Sequence, residues 1–446
     1  MTDISPTTDK PSAVSDFPIR KVGIVVLLLI ATLLAGWQIS GVVEEREARQ
    51  AETLESFRAS WGPEQMLRGP ILVVPYQAYP TATTRDYFEI TPQTLNAKTV
   101  LSPKERKRGL FHATVYDAAI ALEGRFTVPS ADILSEGVKL QWQEAFVVVS
   151  TETLSGMTAA DHFTWNGTPV QWQNCRDVLS AVDCVFPSAM VARTPFSAPP
   201  AVGTQLPFGA TLTLRGTSAF SQALQGVAVE ATVEGAWGTP SFGGSMLPAD
   251  SNVGDDTFSA HWKSADPTSP KVWKALHVME KAPADQTVAK VELLEPTPTY
   301  RMINRASKYN ILFVVLSFTT YFLFELLTKV RIHPLQYGLL GASLTLFALL
   351  LVSFAEMIGY DAGYAVSAGL VLLQASVYTA MVTRRLLQSL MFGAMLASLF
   401  GFLYVLLSLE TYSLLVGSLG LFLVLSLVMA LTQRVKWFAA AEPAVA

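Results

Sequence analysis

Six apolar stretches constrain this chain more than any other feature of its sequence. A helix that crosses a membrane needs about 20 mostly apolar residues, because the hydrocarbon core is about 30 Å thick and each residue adds about 1.5 Å. The segments that meet this requirement are residues 22–43, 309–328, 335–355, 362–383, 389–409 and 412–432. We expect the first to be an uncleaved anchor, because it is longer than the apolar region of a typical signal peptide and no A-x-A site follows it.

Charged residues are scarce in the chain and unevenly placed. They make up 15% of the sequence, against about 25% in soluble proteins. Residues 309–433 hold only four acidic and four basic side chains, whereas residues 44–308 hold 28 acidic and 23 basic side chains. This split excludes a simple soluble protein, a disordered chain and a coiled coil. The mildly acidic balance, without a long basic block, argues against nucleic-acid binding.

The basic residues beside the apolar stretches predict the orientation in the membrane. Lys and Arg near short loops mark the cytoplasmic side. Six spans place four basic pairs on one face, namely Arg20/Lys21, Lys329/Arg331, Arg384/Arg385 and Arg434/Lys436. We therefore predict a multi-pass membrane protein with both termini in the cytoplasm and with residues 44–308 outside it, which in a double-membrane bacterium means the periplasm. Its predicted segments are a tail (1–21), a first span (22–43), a periplasmic domain (44–308), a five-helix domain (309–433) and a second tail (434–446).

The predicted periplasmic domain begins with a helix and continues as strands. Residues 44 to about 60 carry a thin apolar stripe at helical spacing, which indicates that the first helix continues beyond the membrane. After Gly62 the pattern changes to short extended runs separated by Gly, Pro, Ser and Asn. The clearest runs are residues 71–76, 110–121, 138–150, 210–214 and 227–233. We predict a β-rich domain with an antiparallel, sandwich-like arrangement.

Motifs that carry known chemistry are missing from the sequence. It contains no nucleophile elbow, Walker loop, dinucleotide fingerprint, H-E-x-x-H or C-x-x-C. The five histidines are scattered, and none has metal-ligand spacing to another. We therefore predict a protein that is not an enzyme, with no catalytic, cofactor-binding or metal-binding residues.

A few polar residues of the membrane part remain as functional candidates. Glu325 lies about 24 Å along its helix, so it is either an interfacial acid paired with Lys329 one turn on or a coupling site for protons or substrate. His333, Gln336 and Tyr337 follow at the start of the next span. They could bind a lipid phosphate or another helix, or they could cap the helix that Pro334 opens.

Two further groups of candidates lie in the predicted periplasmic domain. Trp237, Pro240 and Phe242 belong to a segment rich in Gly, Pro and aromatic residues. That segment could present aromatic anchors to a ligand, or it could form a tight turn buried against Trp262. Cys175 and Cys184 are the only cysteines, and an oxidising compartment would permit a disulfide between them.

Several sequence blocks, in a fixed order, resemble one known family. They are Trp61 with Gln65, and residues 69–76, 109–116, 124–126, 237–244, 247–248, 258–262, 305–309, 322–325, 333–337 and 409–415. Over residues 55 to 437 the chain resembles the CreD family of inner-membrane proteins. The resemblance implies support of cell-envelope integrity, linked to a two-component stress response and to tolerance of β-lactams or colicins. It implies no catalytic residues.

Two functional hypotheses follow. The first is a non-enzymatic envelope factor whose periplasmic domain binds an envelope protein or peptidoglycan, with membrane lipid around its helices. The alternative is a membrane transporter or lipid flippase that uses Glu325 and the run from His333 to Tyr337. The absence of mid-depth charge and of Pro within the five clustered spans favours the first hypothesis.

Overall fold

The computed structural model describes residues 19–77, 86–109, 111–130, 138–178, 188–194, 196–265, 271–273, 287–294, 299–328, 332–409 and 412–432. The chain forms two compact units. The helical unit comprises Met1–Arg49 and Thr297–Ala446, and the β unit comprises Gln50–Pro296.

Each of the six predicted apolar stretches lies, to within one residue at its ends, within a long helix. The helices in the described part of the chain are α1 (Ile19–Trp61), α2 (Cys175–Val178), α3 (Thr299–Thr328), α4 (Pro334–Ile358), α5 (Tyr360–Thr383), α6 (Leu386–Ser408) and α7 (Ser413–Thr432). The continuation of the first helix past residue 44 is confirmed, since α1 ends at Trp61.

Not all of these helices are equally suited to crossing a membrane. In the described residues, α1, α4, α5 and α6 are long and apolar enough to do so. Helix α3 makes a fifth span if its two segments, Arg301–Tyr309 and Ile311–Glu325, count as one despite the 48° bend between them. The apolar part of α7, Leu415–Ala430, is shorter. A membrane protein with several apolar helices is confirmed, and the total of six spans stays a prediction.

Glycine residues permit the close connection between α4 and α5. Gly359, with φ +83°, links α4 directly to α5. The Cβ atom of any other residue at position 363 would lie 2.6 Å from the backbone nitrogen of Ala355, so only glycine permits this close approach of α5 to the end of α4.

Aromatic side chains pack between helices inside the helical unit. The ring of Phe313 lies 5.6 Å from that of Phe347 and 4.8 Å from that of Phe400. These aromatic contacts hold α3, α4 and α6 together.

The β unit is built from strands that form two sheets, which confirms the predicted β-rich region. Its described strands are β1 (Gln65–Gln77), β2 (Asp86–Ile90), β3 (Thr94–Arg108), β4 (Phe111–Thr127), β5 (Lys139–Leu140), β6 (Phe146–Ser150), β7 (Met157–Trp165), β8 (Thr168–Val170), β9 (Gln173–Asn174), β10 (Ala189–Arg193), β11 (Gln205–Thr217), β12 (Ala219–Ala223), β13 (Ala228–Gly235), β14 (Pro240–Gly244), β15 (Asp250–Val253), β16 (Phe258–Ser264), β17 (Lys271–Trp273) and β18 (Val288–Leu293).

The first sheet has ten strands and the second has eight. The main path of the first is β14-β18-β12-β1-β6-β10-β9, with β2 and β5 also on β1 and β17 on β2. The second runs β15-β16-β13-β3-β4-β11-β7-β8. The predicted antiparallel pairing fails at two places, where β1 pairs with β12 and β3 pairs with β13 in parallel. Long connections separate these partners along the chain, and parallel pairing requires such connections.

Both sheets contribute to one hydrophobic core, so the β unit is a two-layer structure. Leu67 and Phe220 of the first sheet belong to the same buried cluster as Tyr116 and Trp262 of the second. The predicted two-residue period of the run at 227–233 is confirmed in β13, where alternate residues are buried. Burial of one face of each sheet is the main stabilising contribution expected for such a layer.

One predicted strand is interrupted. Residues 138–150 read as a single extended run, but a short 3-10 helix at Trp142–Glu144 separates β5 from β6. The backbone nitrogen of Ala145 donates to the carbonyl of Trp142 at 3.2 Å. The Trp142 side chain is buried in the core, so a local turn that places this large ring replaces the regular strand.

Candidate functional site

The structure brings Glu325 and Tyr337 together in the helical unit, in a group that also contains Lys21 and Ile332. We call these four residues the Glu325 cluster. Lys21 from the first turn of α1 forms an ion pair with Oε1 of Glu325 near the end of α3. The Tyr337 hydroxyl of α4 donates to Oε2 at 2.9 Å, and the backbone nitrogen of Ile332 donates to Oε1 at 3.3 Å. One carboxylate therefore connects three helices.

The charged and polar side chains of the Glu325 cluster are largely removed from water. The side chain of Tyr337 is fully buried, and those of Lys21 and Glu325 are 23% and 16% exposed. A charge removed from water is tolerated when it is paired and its remaining lone pairs accept hydrogen bonds. Both carboxylate oxygens of Glu325 meet these conditions. The arrangement is thus suited to clamping helices.

The predicted partner of Glu325 was a different residue. Lys329 lies outside the described residues, whereas Lys21 lies 304 positions away in the sequence and makes the ion pair. Local spacing along a helix can point only to neighbours three or four residues away. A contact between α1 and α3 could not be read from such spacing.

His333 and Gln336 cap the start of α4. The backbone nitrogen of Leu335 donates to Nδ1 of His333 at 3.2 Å, and the backbone nitrogen of His333 donates to Oε1 of Gln336 at 3.1 Å. Pro334 occupies the first turn, where its missing N–H costs nothing. Of the alternatives predicted for these residues, the structure shows the reciprocal cap.

The segment with Trp237, Pro240 and Phe242 lies in the β unit, where Pro240 begins β14. The ring of Phe242 lies 6.1 Å from that of Trp262 in an edge-on contact. The Trp237 indole donates through Nε1 to the carbonyl of Leu294 at 2.9 Å. The contact of Phe242 agrees with the predicted packing against Trp262, but Phe242 lies on the half-buried strand β14 rather than in a tight buried turn.

The structure describes only one of the two cysteines. Cys175 is buried, 2% exposed, at the first residue of α2. Cys184 lies outside the described residues. The disulfide between them stays a prediction.

The sequence did not predict a second cluster, which surrounds Trp61 in the β unit. Trp61, at the end of α1, lies under two guanidinium groups, with Arg215 4.5 Å and Arg106 5.1 Å from its ring centre. Its indole nitrogen faces the carbonyl of Tyr116 at 3.3 Å. We call Trp61, Arg106, Arg215 and Asp117 the Trp61 cluster. The available signal was the basic run at residues 104–108, which contacts Trp61 only because the end of α1 lies against β3 and β11.

The electrostatics of the Trp61 cluster centre on Asp117. Its carboxylate accepts from Lys104 at 3.0 Å and from Nε of Arg215 at 3.1 Å. Partial burial raises the pKa of Asp117, but the hydrogen bonds and charges of Lys104 and Arg215 together hold this pKa below its usual value. Asp117 therefore stays ionised and orients Arg215 over the indole.

The sequence of this chain matches one known protein family over most of its length. The sequence profile of the family described as Inner membrane protein CreD matches residues 18–438. The chain belongs to the CreD family. The resemblance predicted from the sequence blocks is confirmed. Membership, together with the apolar helices, also confirms a multi-pass protein of the inner membrane.

This CreD chain is similar to one characterised protein by sequence, and one solved structure aligns with it weakly. The Inner membrane protein CreD of Escherichia coli (strain K12) is 26% identical over 438 residues, which cover 94% of this chain and 93% of the relative. A crystal structure of a Legionella pneumophila protein, described provisionally as nutrient binding, aligns with a TM-score of 0.23 and 7% identity. That alignment covers 56% of this chain and 76% of the other.

Proposed function

We propose that this CreD protein is a non-enzymatic, six-span protein that supports cell-envelope integrity and tolerance of envelope stress, including β-lactams. Both termini lie in the cytoplasm and the β unit lies in the periplasm. There the β unit binds an envelope protein or peptidoglycan. The observation that carries partner binding is the basic end of the β3–β4 hairpin.

The hairpin end presents its charges to solvent. Lys104, Arg106, Lys107 and Arg108 are all exposed, with Glu105 as the only acid among them. The guanidinium of Arg108 lies 4.9 Å from the ring of Phe57, and that of Arg106 lies over Trp61. Stacking against aromatic rings restrains these long side chains, so less conformational entropy is lost on binding. An anionic surface is the complementary partner.

The membrane part supports a scaffold better than the transporter alternative. Glu325 is the main candidate for a coupling group, and its carboxylate is engaged by three donors of the Glu325 cluster. A coupling acid must exchange protons or substrate during each cycle. In the described part of the chain, no group of three or more His, Cys, Asp or Glu residues is placed to hold a metal ion.

The proposed topology is tested with reporter fusions at positions 150 and 333. A periplasm-active enzyme should work only at position 150, and a cytoplasm-active reporter only at position 333. Activity of one reporter at both positions would refute the topology and the periplasmic placement of the β unit.

Partner binding is tested by photo-crosslinking from Lys107 in the full-length protein in cells. Lys263, an exposed lysine on β16 with 61% of its side chain accessible, provides the matched control position. We expect crosslinks to an envelope protein or peptidoglycan from position 107 and not from 263. The charge reversal K107E should also reduce β-lactam tolerance, whereas K263E should not. Equal behaviour of the two positions would contradict binding by the hairpin.

A further inference from the structure

A cavity of about 220 Å³ lies in the helical unit, mainly between α4 and α5. Among its lining residues, Leu339 and Leu346 of α4 and Gln374 of α5 are exposed at the surface of the unit, so the cavity opens sideways. Since α4 and α5 are long and apolar enough to cross a membrane, we expect their outer surface to face lipid. The cavity is therefore accessible from the bilayer.

Three polar side chains in this cavity have groups that are not hydrogen bonded. Gln374 and the Tyr378 hydroxyl have no hydrogen-bond partner among the described residues, and neither has Nε2 of Gln336, whose Oε1 serves the helix cap. Polar groups within a bilayer are costly when they lack partners. Gln374 and Tyr378, the two deeper groups, therefore favour an occupant that can accept hydrogen bonds.

The polar groups of the cavity lie at different distances from the shared end of α4 and α5. Helices α4 and α5 are antiparallel neighbours across Gly359, so Gln336 near the start of α4 lies at the same end as the last turns of α5. Gln374 is nine residues from the end of α5, about 14 Å inward, and Tyr378 is about 8 Å inward. Beyond that end follow Arg384 and Arg385, which are exposed and form no ion pair with any residue that the structure describes.

We propose that this cavity binds one anionic glycerophospholipid from the leaflet at that end of the bundle. Its phosphate pairs with Arg384 and Arg385, and its ester carbonyl oxygens accept hydrogen bonds from Gln374 and Tyr378. One acyl chain lies along Leu346, which is about 18 Å inward along α4. Phosphate, ester and chain then follow the same order, from the interface inward, as the arginines, the polar side chains and Leu346.

The test uses full-length protein in vesicles that contain a trace of phosphatidylglycerol with a photoreactive group on its acyl chain. Labelled peptides are identified by mass spectrometry, and we expect labelling of α4 around Leu346. Y378F removes only the hydroxyl group and should lower labelling about threefold. Q374L combined with Y378F should lower it about eightfold. L373A, a change at a neighbouring lipid-exposed position outside the cavity, is the control and should label as the wild type does.

The headgroup assignment is tested in the same vesicles. Labelling by the corresponding phosphatidylethanolamine should be weaker, and R384Q/R385Q should remove the preference for phosphatidylglycerol, whereas R301Q should not. Equal labelling by the two lipids would overturn the anionic headgroup. Wild-type labelling of the Q374L/Y378F variant, at normal elution volume and helix content, would overturn the site. Dimers in native mass spectra that are lost in Q374L would show that a second copy fills the cavity and would also overturn it.

Discussion

Replacing Lys21 by Met should destabilise the helical unit, because it leaves the Glu325 carboxylate buried without its counter-charge. Breaking a fully buried pair in this way costs about 3–5 kcal/mol. The side chains here are 23% and 16% exposed, and two hydrogen bonds to Glu325 remain, so we expect about 2 kcal/mol. For a unit of this size, that corresponds to a fall in melting temperature of roughly 4–8 °C.

The companion variants make this prediction specific to the ion pair. E325Q keeps the acceptor for Tyr337 and leaves Lys21 near a helix end, from which its flexible stem can reach water, so it should cost only about 1 kcal/mol. The double variant K21M/E325Q buries no unpaired charge and should also cost about 1 kcal/mol. The two changes should thus be far from additive.

The assay is the melting temperature of the purified full-length protein in detergent, followed by loss of its monodisperse gel-filtration peak. K308M, which removes an exposed base at the other end of the helical unit, is the control and should leave this temperature unchanged. A shift for K21M/E325Q equal to the sum of the two single shifts would refute the clamp. Envelope function retained in the double variant would count against a transport role for Glu325.

Three further predictions concern single residues. D117N should flatten the dependence of β-unit stability on acid pH. The pKa of Asp117 is lowered in the folded protein, so its stabilising effect is fully present above the unfolded pKa of about 3.9 and is lost as pH falls through the lower folded pKa. In urea unfolding followed by tryptophan fluorescence, the stabilities of the wild type and the variant should therefore approach each other as pH falls below about 3.9. H333A should cost about 1 kcal/mol through the lost cap of α4, whereas H333N, which can still accept from the backbone, should recover most of the melting temperature. Cys175 should be alkylated in denatured protein only after reduction, and labelling before reduction would contradict the predicted disulfide.

Sequence patterns predicted the elements of this protein far better than its contacts. The apolar lengths identified all six long helices, and the alternation at 227–233 identified β13, because both signals are local. The parallel pairing of β3 with β13 and the break at Trp142 depend on residues distant in sequence. Such pairing has no local signature.

The residues of the candidate site were likewise easier to predict from the sequence than the contacts between them. Glu325 and Tyr337 were selected because polar groups in apolar helices are unusual, and the structure brings them together. His333 and Gln336 belong to a helix-cap pattern with three-residue spacing, which the sequence left as one alternative. Lys21 was noticed only for its effect on topology, and Trp61 only as part of a family block. Their partners become visible when distant segments are placed side by side.

The ion pair between Lys21 and Glu325 has a consequence for biosynthesis. Their separation is 304 residues, and ribosomes add about 5–20 residues per second. The amino-terminal helix therefore waits roughly 15–60 s in the bilayer before its acidic counterpart emerges. During that interval its lysine must be held by water, by lipid phosphate or by the insertion machinery. The helical unit is thus completed late in synthesis, although α1 is made 304 residues before Glu325.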